Sequence, residues 1–200
     1  MSQRIVLASG NKGKLKEFSQ ILAPLDLEIV SQGDLGVEDA DETGLSFVEN
    51  AILKARNACA ATGLPAIADD SGLEVDALSG APGIYSARYA GPGASDQQNI
   101  DKLLSELGER EVEDRTARFR CVLVCMRHQS DPTPLIAVGT WEGKILSAPE
   151  GENGFGYDPI FWSPEFDCAA AQLTPEQKKS VSHRGKAVAQ LTEQLTAFLT

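Results

Sequence analysis

Two short segments near the start of the chain carry residue types that could act on a polyphosphate. The first, Ser9-Gly10-Asn11-Lys12-Gly13-Lys14, follows an apolar run and offers backbone N–H groups, an amide and two ammonium groups to an anion. The second, Ala68-Asp69-Asp70-Ser71-Gly72, follows another apolar run and offers carboxylates, which Mg²⁺ binds readily. Together they predict a metal-assisted reaction on a polyphosphate.

The first segment differs from the P-loop of nucleoside triphosphatases. That motif, G-x-x-x-x-G-K-[ST], needs a glycine at position 8 and a hydroxyl at position 15, where this chain has Ala8 and Leu15. Amides at the start of a helix still favour an anion by roughly 0.3 to 1 kcal/mol at exposed sites, and Lys12 or Lys14 can add charge. A glycine-containing turn with solvated lysines is the alternative interpretation.

The two adjacent aspartates, Asp69 and Asp70, point to opposite sides if the chain is extended, so one of them would face a given site. A second metal ligand would come from the acidic connection that contains Asp39, Asp41 and Glu42. One or two carboxylates are enough for Mg²⁺, because substrate phosphates and water complete its coordination. The alternatives are a plain turn at the aspartate pair and a solvated acidic loop.

Two later segments could bind a nucleobase. Gly154-Phe155-Gly156-Tyr157-Asp158-Pro159 places an aromatic ring between glycines, where a base could stack on it. Such stacking contributes about 1 to 3 kcal/mol in single-strand binders. The alternative is a core phenylalanine beside a tight turn. Ser182-His183-Arg184-Gly185 offers donors to a base edge or a phosphate.

Composition and charge limit the function classes. The 200 residues predict one compact domain, and the 29 acidic against 18 basic residues give a net charge of −11, which repels nucleic-acid backbones and anionic lipid. The four cysteines form no C-x-x-C pair and lie in apolar stretches, which predicts reduced core thiols.

No segment approaches a signal peptide or a membrane span, so we expect a cytoplasmic protein. Because no triad arrangement or metal-ligand histidine spacing is present, covalent catalysis is disfavoured.

The hydrophobic pattern of the first half predicts alternating strands and helices. Strands are predicted at residues 4–8, 27–30, 66–68 and 73–77. A first helix is predicted by Leu15, Phe18, Ile21 and Leu22, with its end at Pro24. A second helix is predicted by apolar residues that share one face: Leu45, Val48, Ile52, Ala55 and Cys59. Asn50 and Lys54 share a different face of that helix.

The second half contains consecutive strands and capped helices. Capping boxes at Ser95-x-x-Gln98 and Thr174-Pro175-Glu176-Gln177 predict two helix starts, and a last helix carries Val188, Leu191, Leu195 and Phe198. Residues 119–126 predict a central strand, with antiparallel neighbours at residues 134–140 and 143–147. We therefore expect an α/β fold with a mixed central sheet, since strands that follow one another without helices exclude a purely parallel one.

Seven motifs occur in order along the chain. They are Ser9-Gly10-Asn11-x-x-Lys14, Glu42-Thr43-Gly44, Glu49-Asn50-Ala51-x-x-Lys54-Ala55, Ala68-Asp69-Asp70-Ser71-Gly72-Leu73, Pro82-Gly83-Ile84-Tyr85-Ser86-Ala87-Arg88-Tyr89, Gly154-Phe155-Gly156-Tyr157-Asp158-Pro159 and Lys178-x-x-x-Ser182-His183-Arg184-Gly185. In this order, from about residue 4 to residue 197, they resemble the inosine/xanthosine triphosphate pyrophosphatase family, which removes non-standard purine nucleotides. One departure is mild: Ser9 stands where that family often has threonine.

The resemblance implies Mg²⁺-dependent hydrolysis of ITP, dITP and XTP to the monophosphate and pyrophosphate. It implies that residues 9–14 (Ser9, Gly10, Asn11, Lys12, Gly13 and Lys14) hold the triphosphate together with Lys54, that Ser71 contacts phosphate, and that Glu42 and Asp70 bind Mg²⁺. Asp70 is also the implied general base, which takes a proton from the water that attacks the α-phosphorus. The implied fold is an elongated mixed α/β sheet with flanking helices and two lobes around a substrate cleft, and the implied assembly is a homodimer.

The implied base pocket is formed by Phe155, Gly156, Tyr157 and Asp158 with Lys178, His183 and Arg184. In it the aromatic ring stacks on the base and the donors meet the keto oxygen at purine C6. Adenine would leave those donors unpaired, and unmet polar sites can reject an analogue by 10⁴ to 10⁵, which accounts for discrimination against ATP. GTP shares the 6-keto group and is not excluded by these donors.

Other functions compete with this one. A related pyrophosphatase for modified pyrimidine nucleotides would be separated by comparing purine and pyrimidine triphosphates. A nucleotide-sensing protein without turnover would be identified by a pyrophosphate-release assay, although paired acids at Glu42 and Asp70 favour catalysis. A nucleic-acid-binding module is disfavoured by the acidic balance and the lack of a basic stripe.

Overall fold

The computed structural model describes residues 3–9, 15, 18, 19, 22–25, 27–111 and 114–200. Gly10, Asn11, Lys12, Gly13 and Lys14 lie outside these described residues, as does Ile21 of the first predicted helix. Two apolar positions of that helix, Phe18 and Leu22, are fully buried.

Seven strands of the described residues form one mixed sheet. They are β1 (Gln3–Leu7), β2 (Leu27–Ser31), β3 (Ala66–Val75), β4 (Thr116–Met126), β5 (Leu135–Ile145), β6 (Phe161–Ser163) and β7 (Cys168–Ala169). Their order across the sheet is β2-β1-β3-β4-β5-β6-β7. Strand β1 pairs in parallel with β2 and β3, whereas the pairs β5–β6 and β6–β7 are antiparallel. The predicted mixed α/β fold is confirmed.

Within the described part of the chain, the α-helices whose bounds are defined are α1 (Phe47–Thr62), α2 (Asp96–Leu107), α3 (Pro175–Val181) and α4 (His183–Leu199). Short 3₁₀ segments occur at Ala23–Leu25, Gly33–Leu35, Asp76–Leu78, Gly83–Arg88, Asp158–Ile160 and Ala170–Gln172. The capping boxes predicted for α2 and α3 are both present. Among the described residues, no helix combines the length and the apolar character needed to cross a membrane.

Helix α1 begins two residues later than the apolar pattern predicts. The hydroxyl of Ser46 accepts the N–H of Glu49 and so caps the helix start. Leu45, predicted on the buried face, precedes this cap and is 84% exposed. The prediction is wrong at Leu45 because the Ser46 cap sets the helix start at Phe47, two residues after Leu45.

Two predicted breaks in strands are wrong. Strand β3 runs without interruption through the aspartate pair and Gly72, where a turn was considered. Strand β5 likewise continues through Gly143, which was placed at the start of a separate strand. A Cβ at Gly143 would overlap the ring of Phe161 and the carbonyl oxygen of Trp162 in β6. This glycine therefore marks a close approach of the neighbouring strand and not a turn.

The chain divides into two compact units, each with its own core. Unit 1 contains residues 1–70, 122–138 and 187–200, and unit 2 contains residues 71–121 and 139–186. In unit 1 the small residues Ala51, Ala55 and Ala58 of α1 pack in the cluster that includes β1 and β3 side chains. In unit 2 the rings of Phe119, Trp141 and Phe161 pack together, with centroids 4.6 to 6.1 Å apart. The four cysteines are free thiols; Cys59, Cys121 and Cys125 are buried and Cys168 is half-buried.

Candidate active site

A lysine in unit 1 joins two carboxylates that are distant in sequence. The Lys54 ammonium group on α1 lies 2.9 Å from Glu42 Oε1 and 2.7 Å from Asp70 Oδ1. The side chains of Lys54, Glu42 and Asp70 are only 16%, 29% and 12% exposed, respectively, so water screens their charges poorly. The structure thus brings together Glu42, Lys54 and Asp70.

Lys54 remains a cation in this environment. Burial alone would lower its pKa, but the attraction of Asp70 and Glu42 and their hydrogen bonds outweigh burial, and the pKa of Lys54 is raised. The ammonium group therefore carries a full positive charge at neutral pH. It lies where it can neutralise either a carboxylate or a phosphate.

Asp70 has an environment suited to a proton acceptor. Burial in β3 raises the pKa of its carboxyl group; the Lys54 charge opposes this, and the charges of Glu42 and Asp69 add to it. Oδ1 accepts the Lys54 hydrogen bond, whereas the buried Oδ2 has no hydrogen-bond partner among the described residues. A buried acceptor left unpaired is costly, which is typical of a group kept for binding or chemistry.

The acidic loop before α1 is fixed to the helix start. Gly44 N–H donates to Asn50 Oδ1 at 2.8 Å, and Leu45 N–H donates to Glu49 Oε2 at 3.0 Å. The Ser46 hydroxyl also donates to Glu49 Oε2, at 2.7 Å. These contacts hold the chain immediately after Glu42 against the first turn of α1, which explains how an exposed loop can supply a carboxylate at a defined position.

The donor set in unit 1 fits a magnesium ion. Glu42 and Asp70 both contact the Lys54 ammonium group, so a metal ion could also bind between these two carboxylates. Within the described ranges no group of three or more His, Cys, Asp or Glu side chains has the arrangement of a metal site. Two carboxylates without a further protein ligand are typical of Mg²⁺, which keeps several waters and uses substrate phosphates as ligands.

In unit 2, the glycine-flanked loop presents an aromatic ring to solvent. Phe155 is 66% exposed, in contrast to the core phenylalanine considered as the alternative. Its N–H donates to Asp158 Oδ2 at 2.9 Å, and the next N–H, of Gly156, donates to Asp96 Oδ2 at 2.7 Å. Two carboxylates therefore fix the backbone on both sides of the ring. An exposed ring on a fixed backbone is suited to stacking.

A lysine also approaches this ring. The Lys178 ammonium group lies 5.0 Å from the Phe155 ring centroid and forms an ion pair with Asp158, which is only 3% exposed. Tyr157 has a different environment: its ring is buried, and its hydroxyl donates to the Ser86 carbonyl at 2.8 Å. The loop therefore combines one exposed ring, one cation and a buried tyrosine that anchors it to the core of unit 2.

The segment with His183 and Arg184 lies at a helix start. Ser182 ends α3 and begins α4, since its N–H donates to the Lys178 carbonyl and its hydroxyl accepts the Gly185 N–H at 3.1 Å. His183 is mostly buried and stacks on Phe119 with a centroid distance of 4.9 Å and an interplanar angle of 14°. Arg184 is half-buried in the first helical turn. Both residues therefore occupy the positive end of the α4 dipole, which favours an anion or a carbonyl oxygen.

Of the remaining candidates, Ser9 follows β1 and Ser71 lies within β3; both are half-buried. Sequence reasoning assigned no role to Asn50 or Asp96, which hold the loops at Gly44 and at Gly156. Asn50 belongs to the Glu49-Asn50-Ala51 motif, which is a signal that could have drawn attention to it. The sequence indicates only that Asp96 is the first residue of a capped helix.

Comparison with known proteins places these features in a family. A model of the Ham1 family matches residues 5–194. The chain is 60% identical over 188 residues to a dITP/XTP pyrophosphatase of Photobacterium profundum, an alignment that covers 94% of this chain and 95% of that protein. A HAM1 protein from Coxiella burnetii has a similar structure, with a TM-score of 0.94, 50% identity and coverage of 98% of this chain and 99% of the other. The Staphylococcus aureus Ham1 protein gives a TM-score of 0.90 at 45% identity, with coverage of 98% and 100%. This chain belongs to the Ham1 family.

Proposed function

We propose that this protein hydrolyses non-standard purine nucleoside triphosphates, among them dITP, ITP and XTP, to the monophosphate and pyrophosphate, and so cleanses the nucleotide pool. The observation that carries the proposal is the pairing of one buried ammonium group with Glu42 and Asp70. That arrangement provides metal ligands, a phosphate-binding cation and a proton acceptor within one small region. The name dITP/XTP pyrophosphatase borne by relatives about 60% identical supports the same reaction.

In this proposal Asp70 is the general base. Its carboxylate takes the proton of the water that attacks the α-phosphorus, and pyrophosphate leaves with the electrons of the broken P–O bond. A positioned base contributes typically 10² to 10⁴-fold. The raised pKa of Asp70 makes it a better proton acceptor than an ordinary aspartate, while the Lys54 charge opposes that rise and so favours the carboxylate form.

Charge neutralisation is the second requirement of phosphoryl transfer. Bound Mg²⁺, for which Glu42 and Asp70 are the proposed ligands, would supply positive charge at the phosphates. Lys54 would contact the triphosphate, with residues 9–14 (Ser9 to Lys14) and Ser71 as further phosphate contacts. Positioning and electrostatics account for most of the catalysis in reactions of this kind.

The proposed base site lies in unit 2. Phe155, held by its backbone, would stack on the purine, and Lys178, His183 and Arg184 would donate to the 6-keto oxygen. Gly156, Tyr157 and Asp158 complete the loop, with Asp158 orienting Lys178. This set favours a 6-keto purine over adenine, because the 6-amino group cannot accept the hydrogen bonds.

We further propose that the whole chain acts as one catalytic domain in the cytoplasm, as a homodimer, without nucleic-acid or membrane partners. The motif order and the acidic composition support these assignments. Size-exclusion chromatography with light scattering would test the dimer.

A nucleotide panel tests the proposed activity. Pyrophosphate release should be measured with dITP, ITP, XTP, GTP, ATP and dUTP, each with and without Mg²⁺. We expect rapid release from the first three and a strict requirement for the metal. Preference for a pyrimidine triphosphate, or binding of ITP without turnover, would contradict the proposal.

A further inference from the structure

One buried amide in unit 1 has no role in the chemistry proposed above. Asn50 lies in the first turns of α1 and is fully buried. Its Oδ1 accepts the Gly44 N–H at 2.8 Å, whereas its Nδ2 has no hydrogen-bond partner among the described residues. A buried donor left unpaired destabilises the folded state, so stability alone does not explain an asparagine here.

The contact that Asn50 makes is close and specific. A Cβ at Gly44 would lie 2.6 Å from Glu49 Cβ and 2.8 Å from Asn50 Oδ1, so only glycine lets the loop approach the helix this closely. Gly44 is two residues after Glu42. The hydrogen bond therefore fixes the loop next to the residue that supplies a carboxylate.

The same helix face carries Lys54, one turn after Asn50, and Lys54 binds the Glu42 carboxylate directly. Close to Glu42, α1 therefore holds the acidic loop both by its backbone, at Gly44, and by an acidic side chain, that of Glu42. In the proposed function Lys54 contacts the triphosphate, so its hold on Glu42 would weaken when substrate binds. The Asn50 contact does not depend on Lys54 and would persist.

We propose that Asn50 is a positioning residue that keeps Glu42 beside Asp70 as a metal ligand by holding the Gly44 backbone. This inference rests on the proposed function, since it takes Glu42 to be a ligand. Groups that orient a metal ligand typically change metal affinity by 10 to 100-fold when removed.

The chain offers a matched control on the same helix. Asn57 Nδ2 donates to the Glu38 carbonyl at 2.9 Å, so it also joins an asparagine of α1 to the acidic loop, but four residues before Glu42. Asn50→Ala, Asn57→Ala and Glu42→Gln should be compared with wild type by binding of Mn²⁺ alone, measured by electron paramagnetic resonance, and by hydrogen exchange of the Gly44 amide.

In Asn50→Ala we expect faster exchange at Gly44 and Mn²⁺ affinity lower by about 10-fold or more, approaching that of Glu42→Gln. Asn57→Ala should leave both measurements unchanged. If Asn50→Ala and Asn57→Ala bind Mn²⁺ equally well and Glu42→Gln binds it more weakly, the role of Asn50 is overturned but Glu42 remains a metal ligand. Wild-type affinity in Glu42→Gln would overturn both this inference and the metal assignment on which it rests.

A second variant covers the case in which Asn50→Ala does not fold. Gly44→Ala disturbs the same contact from the loop side and leaves the interior of α1 unchanged. It should also lower Mn²⁺ affinity and speed exchange at residue 44. A folded Gly44→Ala protein with wild-type Mn²⁺ affinity would overturn the inference.

Discussion

The replacement of Asp70 by asparagine separates the chemical role of this residue from its structural one. Asparagine has the same shape and keeps an oxygen that can accept the Lys54 hydrogen bond, which measures 2.7 Å to Asp70 Oδ1. It cannot take a proton from water and it removes one negative charge from the proposed metal site. We expect kcat to fall by at least about 10²-fold, which corresponds to about 2.7 kcal/mol of transition-state stabilisation.

Asp69 provides the matched control. It is adjacent in β3 and is also buried, at 4% exposure against 9% for Asp70, but successive strand residues face opposite sides. Asp69→Asn should therefore keep most of the kcat, even if it changes stability. Both variants would be assayed by pyrophosphate release from saturating dITP, with circular dichroism as the check on folding.

Two results would refute the assignment. One is a folded Asp70→Asn protein that retains more than about a tenth of the wild-type kcat, since a lost general base costs more than that. The other is an equal loss in Asp69→Asn, which would show that burial and charge, and not the position of one carboxylate, determine the rate. Calorimetric titration with dITP would show whether Asp70→Asn still binds nucleotide, as we expect if Lys54 holds the phosphates.

Three further perturbations each remove the charge of one side chain. Lys54→Met removes the cation that opposes the raised pKa of Asp70, so the acid limb of the pH profile of kcat/KM should move to higher pH; an unmoved limb would contradict this coupling. Arg184→Ala should lower kcat/KM for ITP by about 1.5 to 3 kcal/mol and change that for ATP much less, so a constant ITP-to-ATP ratio would remove Arg184 from base recognition. Asp131→Asn should lower Tm at neutral pH, because hydrogen bonds from Arg127 hold the pKa of Asp131 well below its usual range. That stabilisation is full above the usual aspartate pKa and is lost as the pH falls below it, so the Tm difference should shrink below about pH 4; a constant difference would contradict it.

The fold was largely predictable because periodicity and capping are local signals. The boxes at Ser95 and Thr174 fixed two helix starts, and consecutive strand patterns in the second half predicted the mixed sheet. The two wrongly predicted strand breaks have one cause. Asp69-Asp70 and Gly143 are typical of turns in an isolated chain, yet both lie inside long strands. Sheet hydrogen bonds join backbone groups. Pairing with a neighbouring strand can therefore hold aspartate and glycine in an extended conformation, although these residues prefer turns.

For the candidate site, the ordered motifs identified the family, and that assignment is confirmed. The motifs also named Glu42, Lys54 and Asp70, but not the ion pairs among them. Residues 42, 54 and 70 are separated by 12 and 16 positions, and their meeting depends on how α1 packs between loop and strand. Contacts such as that of Asp96 with Gly156 join residues 60 positions apart, a distance over which sequence periodicity carries no information.

The ammonium group of Lys54 explains how Glu42 and Asp70 can both lie in one partly buried region of the folded protein. Two partly buried carboxylates near each other repel, and the charge of Glu42 helps to raise the pKa of Asp70. A third carboxylate, Asp69, adds to the charge around Asp70. Without a cation the pKa of Asp70 would be raised further, which would disfavour the carboxylate form that can bind a metal ion or accept a proton. Lys54 supplies that cation: its charge opposes the rise in the pKa of Asp70, and its own pKa is raised in return. In the proposed function a triphosphate would compete for the same ammonium group, so substrate binding would release the two carboxylates.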